Sequence, residues 1–333
     1  MDFCRRCTFQ GHLGKGSFSD VFDVVCEGGQ IFDTKMSNTV AHRRRSTRGR
    51  IATLSSSINT ALLARPPRCN DHQLAFAMKC LRPQIRSDAE KFNIGAEDLV
   101  HETAILANVN HGHIIKLHGR ASGNLTDAFV LNDGYFILLD KLNETLPERI
   151  NVWKRTECIL QGPTTKQLEV AHSIADAMAY LHSKKIVFRD LKPDNVGFDY
   201  KGVLKLFDFG FAIGVPEKDE TNPAGFLYDR CGTPRYMAPE VGLSLGYETE
   251  ADVYSFGILL WEMFALAKPF SSITSSSEFE RIVFMGGKRP TIDNCWPANI
   301  EEFISSCWYT TPSMRPTMFD IKSSLSLNFL TPR

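Results

Sequence analysis

An α+β fold is predicted for this chain. Strand-like stretches lie in the first half, at residues 76–81 and 136–142, bounded by turn-forming or polar flanks. Helical spacing takes over later, where Val170, Ile174, Met178 and Leu181 repeat on one face. Residues 253–267 are apolar on nearly every side, which reads as a buried core helix. A length of 333 residues suits one large domain or two lobes sharing a cleft.

Composition narrows the function classes. Hydrophobic residues make up 43%, ordinary for a soluble chain with a real core. Lys+Arg and Asp+Glu both number 38, so nothing in the charge argues for nucleic acid or a membrane surface. The nine cysteines are scattered, which favours a reducing compartment. Cys4-Arg5-Arg6-Cys7 has redox or zinc spacing but no second pair, and structural cysteines are the better reading. Residues 1–10 lack the apolar run of a signal peptide. The longest apolar stretch is interrupted by Glu262 and too short for a bilayer. No membrane insertion is expected, and the expected location is the cytoplasm, with the nucleus as the alternative.

The chemistry concentrates in Phe188-Arg189-Asp190-Leu191-Lys192-Pro193-Asp194-Asn195, followed by Asp208-Phe209-Gly210. An acid, a lysine and an amide fall within six residues, and a second acid comes eighteen residues after the first. Such groups orient a hydroxyl and hold metal ions on a triphosphate. Asp and Asn five apart, with an Asp-Phe-Gly after a short hairpin, resemble the eukaryotic-type protein kinase signature. The resemblance runs from about Gly11 to Pro316. It implies a two-lobed protein kinase fold over residues 9–325. A small N-terminal lobe of antiparallel sheet plus one helix reaches about residue 139. A hinge follows at about 140–142, then a larger, mostly helical C-terminal lobe. Cys307-Trp308 with Pro312, Arg315 and Pro316 resembles the closing motif of the tyrosine-kinase-like (TKL) group of serine/threonine kinases.

From the N-terminus, Leu13-Gly14-Lys15-Gly16-Ser17-Phe18-Ser19-Asp20-Val21 resembles the glycine-rich hairpin that covers nucleotide phosphates. Glycines let backbone amides approach phosphate oxygens. Without its downstream context the stretch would read as an ordinary strand turn. Leu13, Gly14, Gly16, Phe18 and Val21 are the implied ATP contacts, with Phe18 capping the loop tip. Ser19 stands where the family has a third glycine. The 57 residues between Val21 and Lys79 exceed the family's usual connection, so about 27–72 reads as a mobile insertion. Its basic run at 43–50 suits a solvated linker. A docking site, a nuclear-import patch or phosphorylation at Ser46 or Thr47 are the alternatives.

Ala77 matches the adenine roof, and Lys79 the lysine that bridges the α- and β-phosphates. A buried lysine needs a counter-charge, and a helix over residues 96–108 offers Glu102 on one face with Leu99 and Leu106. Glu97 and His101 are alternatives by charge, but His111 followed by Ile114-Ile115 sets the register on Glu102. The resemblance makes Leu139 the residue guarding the back pocket and Asp140 to Leu142 the adenine-binding hinge. Pro163 followed by Thr164-Thr165-Lys166-Gln167 reads as a capping-box helix start.

In the catalytic stretch, the resemblance implies that Asp190 takes the hydroxyl proton and Lys192 sits by the γ-phosphate. Asn195 and Asp208 would hold Mg²⁺ on ATP. Lys192 is the serine/threonine-type choice. The segment 231–240 implies a protein substrate with a Ser or Thr acceptor, with Thr233 bonded near Asp190 and Lys192. Glu240 is expected to pair with Arg315, and Asp252 to brace the catalytic-loop backbone. Phe188 replaces the family histidine, and Gly197 replaces a larger residue below the adenine, partly made up by Phe207. Asp229 stands four residues before Thr233, where relatives carry phosphothreonine; it is expected to pair with Arg189 and partly replace the phosphate. Thr221 and Tyr228 are candidate phosphosites. A pseudokinase scaffold is the rival, and dual specificity a second. Oligomeric state is not legible.

Overall fold

The computed structural model describes residues 7–16, 18–27, 68–70, 73–121, 135–156, 163–220, 222–294 and 296–326. The readings on Cys4, Ser46, Thr47, Ser17, Thr221 and most of 27–72 lie outside these residues. Two compact units are formed, one from residues 1–110, 115–143 and 199–202, the other from 111–114, 144–198 and 203–333.

The first unit is an antiparallel sheet with one α-helix. Its strands are β1 (Cys7–Lys15), β2 (Ser19–Glu27), β3 (Arg68–Asn70), β4 (Gln73–Leu81), β5 (Leu117–Arg120) and β6 (Phe136–Asp140). They run in the order β1-β2-β4-β6-β5, with β3 also paired to β4. Strand β4 sits centrally, and its Ala75, Phe76, Ala77 and Met78 are all buried. Residues 68–70, which the sequence placed in the insertion, are a strand instead. Arg-Cys-Asn carries no apolar alternation, so only pairing with β4 reveals it.

The helix, α1 (Ala89–Ala107), begins seven residues before the predicted start. Asp88 caps it by accepting from the Lys91 N–H at 3.1 Å. Gly95 lies inside it. A Cβ there would come within 2.7 Å of the Phe18 Cβ, so the glycine serves close packing. The predicted face is the one that faces inward: Leu99, Glu102 and Leu106 are all buried. Burying each leucine contributes roughly 1.5–3 kcal/mol.

The second unit is mostly helical. Helix α2 (Leu146–Thr156) is followed by α3 (Thr165–Ser183), which opens on the predicted capping box: Thr164 and Gln167 bond reciprocally. Val170, Ile174, Met178 and Leu181 are buried along it. Short strands β7 (Glu144–Thr145), β9 (Val196–Phe198) and β10 (Leu204–Leu206) form one ribbon, and β8 (Ile186–Val187) pairs with β11 (Ile213–Gly214). After the short α4 (Pro239–Gly242) comes α5 (Glu250–Ala265), buried nearly all round. Among the described residues no helix is long and apolar enough to cross a membrane. Helices α6 (Ser276–Phe279), α7 (Ala298–Cys307) and α8 (Met318–Leu325) complete the unit, with α8 packed on α3.

Candidate active site

Two clusters of polar side chains are held in otherwise apolar surroundings, one in each unit. In the second unit, β8 delivers the chain to Phe188 and Arg189. Arg189 has a left-handed backbone, φ 70°. Such a conformation persists only where its surroundings hold it. Asp252, fully buried on α5, does so: its carboxylate accepts from the Phe188 and Arg189 N–H groups, both at 2.8 Å. The His182 Nε2 lies 3.0 Å from the same carboxylate. Phe188 itself is buried edge-on to Phe209, centroids 5.0 Å apart, so the residue in the histidine position packs as apolar volume.

Asp190 follows, 4% exposed. Its Oδ1 accepts from the Thr233 N–H at 2.8 Å and the Thr233 hydroxyl at 2.7 Å. Its Oδ2 accepts from Lys192 Nζ at 2.7 Å and Asn195 Nδ2 at 3.1 Å. Four donors, one of them cationic, fix the orientation of this carboxylate. Lys192 Nζ also donates to the Thr233 hydroxyl at 2.8 Å, closing a ring of three side chains. Gly232 makes this approach possible: at φ +98°, a Cβ would sit 2.3 Å from the Arg189 carbonyl oxygen.

Asn195 Nδ2 is also spent on the Asp190 carbonyl at 2.9 Å, which leaves its amide oxygen as the acceptor to offer a cation. The Phe207 N–H donates to the Asn195 carbonyl at 3.0 Å, tying the two predicted metal-binding stretches together. Asp208 takes a left-handed backbone, φ 63°, and Phe209 behind it is completely buried. Among the described residues no group of three His, Cys, Asp or Glu side chains is placed to hold a metal ion by itself. One carboxylate and one amide oxygen suit Mg²⁺ only when substrate phosphates complete the shell, which is its usual habit. The donor set therefore fits a metal that arrives with a nucleotide.

In the first unit, Lys79 Nζ lies 2.7 Å from Glu102 Oε2, with Glu102 1% exposed. Ala77 and Leu139 are directly opposed across β4 and β6, so both side chains share one face. Val21 is opposed to Gly14 on one side and Lys79 on the other. Leu13 is exposed and Leu142 half-buried. Asp140 ends β6, its carboxylate accepting from the Lys116 N–H at 2.9 Å and lying 2.7 Å from His118 Nε2. The glycine-rich turn closes through the Gly16 N–H on the Ser19 carbonyl at 2.7 Å.

The chain belongs to the protein kinase family. Residues 68–326 match the family described as protein kinase domain. A probable serine/threonine-protein kinase of Dictyostelium discoideum is 32% identical over 233 residues, 69% of this chain and 16% of that protein. A probable LIM domain-containing serine/threonine-protein kinase of the same organism is 36% identical over 159 residues, 48% of this chain and 16% of the relative. The cAMP-dependent protein kinase type 3 of Saccharomyces cerevisiae is 32% identical over 216 residues, 65% of this chain and 48% of the relative. The chain thus matches less than half the length of each of these relatives.

Two placements add detail to the kinase pattern. Phe18, expected at the loop tip, lies against Gly95 of α1. Arg82 ties this turn down: its N–H donates to the Phe18 carbonyl at 3.0 Å, while its guanidinium reaches the Gly16 carbonyl and Asp20 Oδ1, the latter at 3.2 Å. Arg82 carried no motif that could have flagged it. Asp229 pairs with Arg189 as expected, though loosely, 3.7 Å from Nη1 with the Asp229 side chain 51% exposed. The Tyr247 hydroxyl, absent from the sequence reading, lies nearer, 3.3 Å from the same nitrogen. The kinase domain also buries Glu262, whose carboxylate accepts from the Tyr236 hydroxyl at 2.5 Å and from Lys268 at 3.2 Å. Burial pushes this carboxyl above its ordinary value.

Proposed function

We propose that this protein is a serine/threonine protein kinase that moves the γ-phosphoryl of Mg-ATP to hydroxyls of protein substrates. The observation carrying this reading is the Asp190 carboxylate, held by Lys192, Asn195 and Thr233 with both oxygens engaged. A substrate hydroxyl donating to the Asp190 carboxylate would be oriented for in-line attack, and Asp190 would accept its proton late in the transfer. Lys192 would offset charge on the γ-phosphate. Lys79, oriented by Glu102, would meet the α- and β-phosphates. Asn195 and Asp208 would hold Mg²⁺, which neutralises developing phosphate charge when bound. Gly14, Gly16, Val21, Ala77, Leu139 and the 140–142 backbone would receive the nucleotide.

The bond between Lys192 and the Thr233 hydroxyl supports the serine/threonine assignment, since the sequence links both residues to that class. Lys79, Asp190, Asn195 and Asp208 are all present, which weighs against a pseudokinase scaffold. The domain would span about residues 9–325, longer at its N-terminus than the matched 68–326, because β1 and β2 belong to the same sheet as β4. The test is transfer of radiolabelled phosphate from ATP to a generic basic protein, wild type against Asp190→Asn. Label on serine or threonine from wild type alone supports the reading; equal incorporation by both proteins defeats it. Phosphotyrosine among the products would indicate dual specificity.

A further inference from the structure

Segment 227–233 is tied down at both ends. Thr233 holds Asp190, as described. At the other end Leu227 and Tyr247 pair through the main chain, N–H to carbonyl in both directions at 2.9 and 3.0 Å. The Tyr247 side chain then reaches into the segment: its hydroxyl donates to the Asp229 carbonyl at 2.8 Å and accepts from Arg189 Nη1 at 3.3 Å. Arg189 Nε donates to the Phe211 carbonyl at 2.6 Å, which fixes the guanidinium plane. Tyr247 is 3% exposed, and burial raises its phenol well above the ordinary value, so the proton it donates stays in place.

The Asp229 carboxylate is the weaker candidate for this task. Its 3.7 Å separation from Nη1 and its half-exposed position leave it screened by water. The phenol is buried, bonded on both sides and attached to a residue that also pairs by backbone.

We propose that Tyr247 is a positioning residue that joins Arg189 to segment 227–233, so that Thr233 is presented to Asp190 with no phosphate on the segment. The inference rests on the kinase reading for its catalytic consequence but not for the tie itself.

The experiment uses the full chain, treated with phosphatase until intact mass shows no phosphate. Hydrogen exchange across 227–233 and steady-state transfer to a serine peptide are measured for wild type, Tyr247→Phe, Arg189→Ala and the double variant. Tyr247→Phe keeps the ring and removes one hydroxyl, and its thermal midpoint reports that it folds. The proposal expects dephosphorylated wild type to keep its amides protected. Tyr247→Phe should speed exchange about tenfold and lower peptide kcat/KM about tenfold, with KM for ATP unchanged, the size of one hydrogen bond to a charged group. In the Arg189→Ala background the same change should add nothing. Wild-type exchange and kinetics in Tyr247→Phe, loss of protection in dephosphorylated wild type, or additive effects of the two variants would each overturn it. A wild type that transfers no phosphate, while Tyr247→Phe still loosens the segment, would keep the tie and sink the kinase reading.

Discussion

Arg315 forks onto Glu240, Nη1 to Oε1 at 2.6 Å and Nη2 to Oε2 at 2.9 Å, joining residues 75 apart in the chain. The Arg315 side chain is fully buried and that of Glu240 only 7% exposed. Arg315 also donates to the Tyr309 and Glu250 carbonyls, both at 2.9 Å, so one guanidinium gathers α4, the start of α5 and the chain after α7. Removing it strands a buried carboxylate, at a cost of about 3–5 kcal/mol. Arg315→Met is therefore expected to lower the urea midpoint steeply. A change below about 1 kcal/mol would mean that the pair behaves like an exposed one.

Asp190→Asn leaves the shape of its cluster and removes the negative charge that Lys192 and Asn195 address. Transfer should fall about a hundredfold or more, the usual contribution of a positioned base. Binding of ATP, read by its thermal shift, should persist. Loss of both together would point to collapse of the loop instead of loss of the base.

Glu102→Gln keeps the volume behind Lys79 and weakens the 2.7 Å ion pair. A misplaced ammonium costs about a hundredfold in transfer, and KM for ATP should rise with it. Unchanged kinetics would show that another group orients Lys79.

Asp208→Asn should remove the dependence of ATP binding on Mg²⁺. In wild type, a chelator is expected to shrink the thermal stabilisation that ATP provides, since a ligand stabilises only in proportion to its affinity for the folded state. In the variant the chelator should change little. Equal chelator sensitivity in both proteins would remove Asp208 from the metal site.

Glu262 makes stability depend on pH. Burial raises its carboxyl above 4.5, although the Tyr236 hydroxyl and Lys268 pull the other way. The folded chain therefore holds this proton more tightly than the unfolded chain. The group's contribution is complete below pH 4.5 and is lost as pH rises through its raised value. Glu262→Gln should gain on wild type across that window, measured by urea midpoints. A variant that loses ground to wild type as pH rises would reverse the sign and refute the assignment.

Much of the candidate cluster was legible because its groups sit at short, regular spacings. Asp190, Lys192 and Asn195 share one loop, and helical periodicity alone put Glu102 on the face with Leu99 and Leu106. The pairings of Glu240 with Arg315 and of Thr233 with Asp190 were anticipated through family resemblance. Arg82, Tyr247 and Tyr236 were missed, since each is an isolated polar residue whose partner lies far along the chain or in another segment. The first strand residues after the insertion were missed too, because pairing by backbone leaves no trace in side-chain pattern.

Order along the chain was sufficient to place the chain in its family and to gather the candidate groups, because loops and helix faces of a few residues obey local geometry. Which partner neutralises each buried charge was settled by packing instead. Phe18 lies on α1 because Gly95 leaves room, and Arg189 is bridged by a phenol because α5 and the segment before it bring Tyr247 there. Desolvation makes an unpaired polar group costly wherever it ends up, and long-range folding alone sets where that is.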